Sequence, residues 1–204
     1  MNGLACIENP AGSVPVPFFN ARVNMKGREL LIGVTGGIAA YKTAALVSRL
    51  VQAGAGVTVI MTRSATRLVA PKTFEALSGR PVGLRTFGSG VHPHIEAAQR
   101  AELLCVAPAT ANILAKAACG LADDLLSTVL LAFDGPILMA PAMNSVMWSK
   151  PAVQRNVVQL RADGVLMIDP EEGYLSCSAT GAGRMAEPET IFRAIAERLL
   201  SVGK

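Results

Sequence analysis

Four residues have side chains suited to chemistry: His92 and His94 in 90-GVHPHIEAA-98, Asn144 in 141-PAMNSVMW-148, and Cys177 in 173-GYLSCSATGAGRMAEP-188. A histidine is the cheapest base near neutral pH, although a loop histidine is more often a solvated side chain. Glycines at 173, 181 and 183 make the segment around Cys177 a candidate mobile lid, with an ordinary surface loop as the alternative. PAMNSVMW packs a proline, an asparagine, two methionines and the chain's only tryptophan into eight residues directly after the apolar run PILMA. A capped helix start and a substrate clamp both fit it.

Other positions could bind rather than react. In 33-GVTGGIAAYK-42, Gly36, Gly37 and Ile38 open a helix, and glycines there let backbone N–H groups approach an anion. The spacing is neither GxxxxGK nor GxGxxG, so a tight strand-to-helix turn explains it equally well. Thr62 and Ser64 flank Arg63 where a dinucleotide site would carry an acid for the ribose. That argues against a nicotinamide dinucleotide and leaves room for a phosphate, or for a helix cap. Thr110 and Asn112 in PATAN can meet a ligand's polar edge or cap the next helix. The acids Asp123 and Asp124 in GLADDLLS suit the start of a helix better than a metal or an acid–base pair.

The elements that must position these residues alternate. ELLIGV (29–34), VTVIM (57–61), ELLCVAP (102–108), PILMA (136–140) and VLMID (165–169) read as buried strands. Helices are expected from about Ile38 to Ala53, from near Pro71, as one long stretch from Ala111 to Phe133, and from Ala152 to Ala162. Residues 170–187 read as irregular, and PETIFRAIAERLL as a closing helix with Pro188 in its first turn. This order predicts a Rossmann-like, doubly wound parallel α/β sheet in a single domain, with ligands at the carboxyl ends of the strands.

Bulk properties narrow the partners. The chain has 204 residues, 51% of them apolar, 17% charged and 4% aromatic, which fits one core built from aliphatic side chains. The net charge of +4 is spread along the chain without a basic block, so neither nucleic acid nor a membrane is expected as partner; an anionic small molecule suits it. Cys6, Cys105, Cys119 and Cys177 have no metal-ligand spacing, so no metal is expected, and a domain of this size needs no disulfide, which suits the cytoplasm. Residues 1–28 lack periodicity and are expected to form a flexible extension to a 29–204 domain. Met25 opens MKGRELLIGV, which has the look of a natural start.

Read together, the motifs resemble those of the flavin-dependent cysteine decarboxylases. The resemblance covers about residues 29–200. It rests on TGGIAAYK (35–42), His94-Ile95, APATAN (107–112), PAMNSVMW (141–148), and the run from Gly173 through Cys177 to Gly181-Ala182-Gly183-Arg184-Met185. PAMNSVMW is the most specific of the five. Ser178 departs from the family's usual glycine, and the N-terminal extension has no counterpart.

The resemblance implies FMN as cofactor. It also implies oxidation of a cysteine thiol to a thioaldehyde, loss of the carboxylate with charge delocalised toward sulfur, and, in the coenzyme A branch, re-reduction to 4′-phosphopantetheine. By the same resemblance, His94 takes a proton during thiol oxidation, Asn144 binds the substrate carboxylate and Cys177 protonates the enethiolate. Gly36, Gly37, Ile38, Thr62, Ser64, Thr110, Ala111, Asn112 and Ala142 hold the flavin, and Arg184 and Met185 cover the substrate. The resemblance implies as substrate a small phosphorylated cysteine conjugate, 4′-phosphopantothenoylcysteine, and as assembly a homotrimer or a dodecamer of trimers with flavin at subunit interfaces. An oxidative decarboxylase of a peptide's C-terminal cysteine and a non-catalytic flavin-binding regulator are the alternatives. The first would not need Cys177, and the second would be expected to lack one of His94, Asn144 and Cys177. A flavin prenyltransferase is disfavoured by PAMN.

Overall fold

The computed structural model describes residues 23–85, 99–174 and 180–202. His92, His94, Ile95, Cys6, Cys177 and Ser178 lie outside the described residues. Five parallel strands form one sheet: β1 (Glu29–Val34), β2 (Gly56–Met61), β3 (Leu103–Ala109), β4 (Ile137–Pro141) and β5 (Leu166–Met167). Their spatial order is β2-β1-β3-β4-β5, so the chain reverses its winding between β1 and β3. A crevice opens at such a switch point, outside the carboxyl ends of the strands.

Side-chain alternation along the strands divides the core in two. Leu30, Ile32 and Val34 of β1 join Leu46, Val47 and Leu50 of α1 (Ala40–Gln52), Phe74 of α2 (Pro71–Ser78), and Ile191 and Ile195 of α7 (Pro188–Val202). Leu31 faces the other way. There it meets Leu104 and Val106 of β3, Ile113 and Leu114 of α3 (Ala111–Cys119), Leu126 and Val129 of α4 (Leu125–Ala132), and Val153 and Val157 of α6 (Pro151–Ala162). Helices therefore cover both faces, as near-continuous apolar strands require. Cys105 is fully buried in the first of these clusters, and burial pushes its thiol up to about 12, which makes it a core residue without nucleophilic character. Among the described residues, no helix is long and apolar enough to cross a membrane.

Three expectations change. The single helix expected from Ala111 to Phe133 is two, because Gly120 adopts φ +68° and closes α3. Asp124 then caps α4: its carboxylate accepts from the Ser127 N–H at 2.9 Å, and the Ser127 hydroxyl faces the Asp124 N–H at 3.1 Å. The segment 170–187 is not irregular throughout. β6 (Glu171–Tyr174) and β7 (Thr180–Arg184) pair antiparallel as a separate ribbon. The packed chain also begins ahead of Glu29, since Met25 is buried and its N–H donates to the Ala53 carbonyl at 2.8 Å.

The Asp124 cap carries a prediction. Burial pushes its carboxyl up, but hydrogen bonds from Lys116 and Ser127 outweigh this and hold it below the usual range. Asp124→Ala should lower stability by about 1 kcal/mol, the cost of losing an N-cap, which corresponds to a Tm drop of roughly 2–4 °C for a domain of this size. A depressed folded pKa makes this contribution present above the unfolded pKa, and it is lost as pH falls through the folded value. The difference in Tm between wild type and variant should thus hold at neutral pH and shrink in acid. A thermal denaturation series over pH checks both points.

Candidate active site

The strand ends on either side of the switch point are stitched together by Thr35, which follows β1. Its hydroxyl is buried, donates to the Pro108 carbonyl at 2.7 Å and accepts from the Thr110 N–H at 3.2 Å. One helical turn into α1, the Thr43 hydroxyl donates to the Ala107 carbonyl at 2.7 Å. These bonds fix the Gly36–Ala39 turn against the start of α3. Gly36 is required by close approach: a Cβ there would lie 2.3 Å from the Ser64 Cβ.

A third wall comes from the loop after β4. Asn144 caps the short helix α5 (Ser145–Trp148), its Oδ1 accepting from the Val146 N–H at 2.8 Å, which fixes how the amide is presented. The Met143 N–H donates to the Gly183 carbonyl at 2.9 Å, so the PAMN loop is fastened to β7. Gly183 sits at φ +135°, and a Cβ there would lie 2.3 Å from the Met143 carbonyl oxygen. No other residue lets these two backbones lie so close.

Between these walls lies a cleft of about 450 Å³, within the usual size of small-molecule sites. Of the sequence-predicted cofactor residues, Gly36, Gly37, Ile38, Thr110, Ala111 and Ala142 line it, and so do Asn144 and Arg184. Thr62, Ser64 and Asn112 do not. The Thr62 hydroxyl accepts from the Ala65 N–H at 3.3 Å, Ser64 backs the glycine turn from behind, and Asn112 is exposed on α3. Met185, expected over the substrate, instead packs into the core and is 1% exposed. Asp123 and Asp124 lie away from the cleft, Asp124 paired with Lys116 at 2.7 Å.

Sequence reasoning placed Met143 beside Ala142 against the flavin, and Met143 lines the cleft, but it missed Tyr41, Lys42 and Met147 as wall residues. The signal for Lys42 was available: a cation three residues into the helix that follows the glycine turn. Among the described residues, the lining includes two cations, Lys42 and Arg184, and no acid. The first turn of α1 has no acidic residue and no side-chain cap, so the positive end of the helix dipole adds to theirs. Ile38, Tyr41, Val146 and Met147 are exposed hydrophobics in the segments that form the cleft. The cleft thus suits a ligand with a flat apolar body and an anionic end.

A family model described as Flavoprotein matches residues 19–200. The chain belongs to this family. The cleft fits that membership: an apolar floor, a glycine turn with no space for a Cβ, and a helix N-terminus free of acids. The coenzyme A biosynthesis bifunctional protein CoaBC of Bacillus subtilis (strain 168) is 52% identical to this chain over 172 residues, which is 83% of this chain and 42% of that protein. The chain spans about two fifths of the length of the curated relatives it matches. Among solved structures, the FMN-dependent cysteine decarboxylase SpaF superposes with TM-score 0.76 at 35% identity, covering 88% of this chain and 99% of that one. A PPC decarboxylase variant complexed with pantothenoylaminoethenethiol gives TM-score 0.76 at 30% identity, covering 86% and 99%.

Proposed function

We propose that this chain catalyses the FMN-dependent decarboxylation of 4′-phosphopantothenoylcysteine to 4′-phosphopantetheine, a step of coenzyme A biosynthesis in the cytoplasm. The observation that carries it is Asn144, held on the wall of an apolar cleft whose charged lining, among the described residues, is Lys42 and Arg184. An amide there meets a substrate carboxylate through N–H donors without adding a repelling charge. The likeness to CoaBC and to PPC decarboxylase supports the same reading.

Bound in the cleft, FMN supplies a reversible two-electron acceptor. Gly36, Gly37, Ile38, Thr110, Ala111 and Ala142 would hold it, with Thr62, Ser64 and Asn112 assigned to the same task from the sequence motifs. Asn144 orients the substrate so that its cysteine end faces the flavin. His94 takes the proton released as the thiol becomes a thioaldehyde. CO2 then leaves, and the electron pair stays on the substrate as an enethiolate. Cys177 donates a proton to that carbon framework as the two electrons return, and the product is a thiol again. The net change is loss of CO2 and gain of one proton. Arg184, with Met185 anchoring the strand behind it, closes the substrate side. In this reading, Ile38, Tyr41, Val146 and Met147 meet a neighbouring copy in a homotrimer or a dodecamer of trimers, which brings a neighbour's His94 to the flavin.

The purified protein should be yellow and should release flavin of FMN mass on denaturation. Incubated with 4′-phosphopantothenoylcysteine, it should give a product lighter by CO2 alone. A product lighter by CO2 and two hydrogens would favour the alternative of an oxidative decarboxylase. A colourless protein that cannot take up FMN would sink both.

A further inference from the structure

Lys42 and Arg184 stand on one cleft wall but come from opposite ends of the domain, the first turn of α1 and the last residue of β7. A single carboxylate oxygen serves both. Glu187 Oε1 accepts from Lys42 Nζ at 2.8 Å and also from Arg184 Nη2. Glu187 itself does not line the cleft; it lies behind the two cations, where β7 runs into α7. Its N–H donates to Glu171 Oε1 at 3.1 Å, which ties in β6, and its carbonyl accepts from the Ile191 N–H in the first turn of α7. One residue therefore gathers α1, both ribbon strands and the start of α7.

The energetics favour a working contact over an incidental one. The Lys42 side chain is only 11% exposed, so its ammonium has lost much of its hydration and needs a partner. The hydrogen bond from Lys42, with the Lys42 and Arg184 charges added, holds the Glu187 carboxyl below its ordinary range, so it is ionised at neutral pH. Two cations sharing one carboxylate leave the wall with a surplus positive charge, while both side chains stay restrained.

We propose that Glu187 is a positioning residue of the cleft: it holds the Lys42 ammonium and the Arg184 guanidinium on the wall and locks the base of the β6–β7 ribbon to α1. Its catalytic meaning rests on the decarboxylase reading; its structural content does not. Arg184 is one residue from Gly183, whose carbonyl receives the Met143 N–H, so the same lock steadies the loop that presents Asn144.

The test uses the full-length, FMN-loaded protein and the variants Glu187→Ala, Glu187→Gln and Glu187→Asp. Acetylation of Lys42 by an N-hydroxysuccinimide ester is followed by mass spectrometry against Lys72, whose side chain is 87% exposed. Glu187→Ala should raise the Lys42 rate relative to Lys72 by about fivefold or more, as a lysine released from a partly desolvated pair becomes accessible. Exchange of the Met143 amide should quicken by about tenfold as local opening becomes easier. Glu187→Asp should restore both in part. Should the Ala variant not fold, the isosteric Glu187→Gln carries the same two measurements. With 4′-phosphopantothenoylcysteine, Glu187→Ala should lose about tenfold in kcat/KM through misplacement of the wall groups, with FMN content retained. Unchanged Lys42 acetylation and Met143 exchange would overturn the inference. A wild-type protein without turnover, but with both signals responding to Glu187→Ala, would refute the decarboxylase reading and leave the lock standing.

Discussion

Asn144→Asp should all but abolish turnover while leaving the fold intact. The substitution keeps the side-chain oxygen that caps α5. Asn144 caps α5 through Oδ1, which accepts from the Val146 N–H at 2.8 Å. Aspartate caps as well as asparagine does, so the α5 cap is kept and the variant should still unfold in one cooperative transition. What changes is the other half of the side chain, where an amide donor becomes a carboxylate oxygen. Facing a substrate carboxylate, that oxygen repels where the amide attracts. Losing one donor to a critical anion costs roughly 10²–10³-fold in rate, and repulsion adds to it. Steady-state kinetics on the FMN-loaded variant, beside a melting curve, separates the two effects. A variant with near-normal kcat/KM would remove Asn144 from carboxylate recognition.

Gly183→Ala should damage both stability and activity, although Gly183 carries no reactive group. At φ +135° an alanine is strained by roughly 1–3 kcal/mol. Its Cβ would also lie 2.3 Å from the Met143 carbonyl oxygen, a backbone atom that cannot rotate away. The ribbon or the PAMN loop has to move. At about 2–4 °C per kcal/mol for a domain of this size, Tm should fall by several degrees. Because Asn144 follows Met143 directly, displacement of the loop by about an ångström should cost on the order of 10²-fold in kcat/KM. Retained FMN binding with lost turnover would show that the damage is to substrate placement. A variant with wild-type Tm and kinetics would mean that β7 and the loop separate freely.

Elements with a strong period were legible in the sequence. ELLIGV falls on β1 residue for residue, and the apolar spacing in 40–52 places α1 within two residues of its observed start. The departures have physical causes. Gly120 was overlooked as a stop because apolar residues continue on both sides of it, and an unbroken apolar run hides a turn that one αL residue creates. The β6–β7 ribbon was read as irregular because EEGY and TGAGR offer no alternating apolar face; backbone pairing holds it, with Gly183 against Met143. Met185 was assigned to the lid by motif position alone, whereas it packs among the core side chains, so the cleft receives only its neighbour Arg184. Six of the nine assigned cofactor residues line the cleft, because they follow strands whose ends the topology brings together. Lys42 and Glu187 went unread as a pair because 145 positions separate them, and only the fold makes them neighbours.

The margins of the main sheet bear on how copies of this chain can associate. At one margin, β2 is engaged on its outer side near its carboxyl end: the Met61 N–H donates to the Gly83 carbonyl at 2.9 Å, and the Gly83 N–H donates to the Val59 carbonyl at 2.9 Å. At the other margin, β5 is only two residues long. Among the described residues, both features limit how far a second molecule could continue the sheet. This favours contacts between copies through side chains on helices and loops over continuation of the main sheet, and such contacts are adjustable by single substitutions. Any assembly of this chain would then be separable from the main sheet: surface mutation could change it while the strands, and the cleft at their ends, stay as they are.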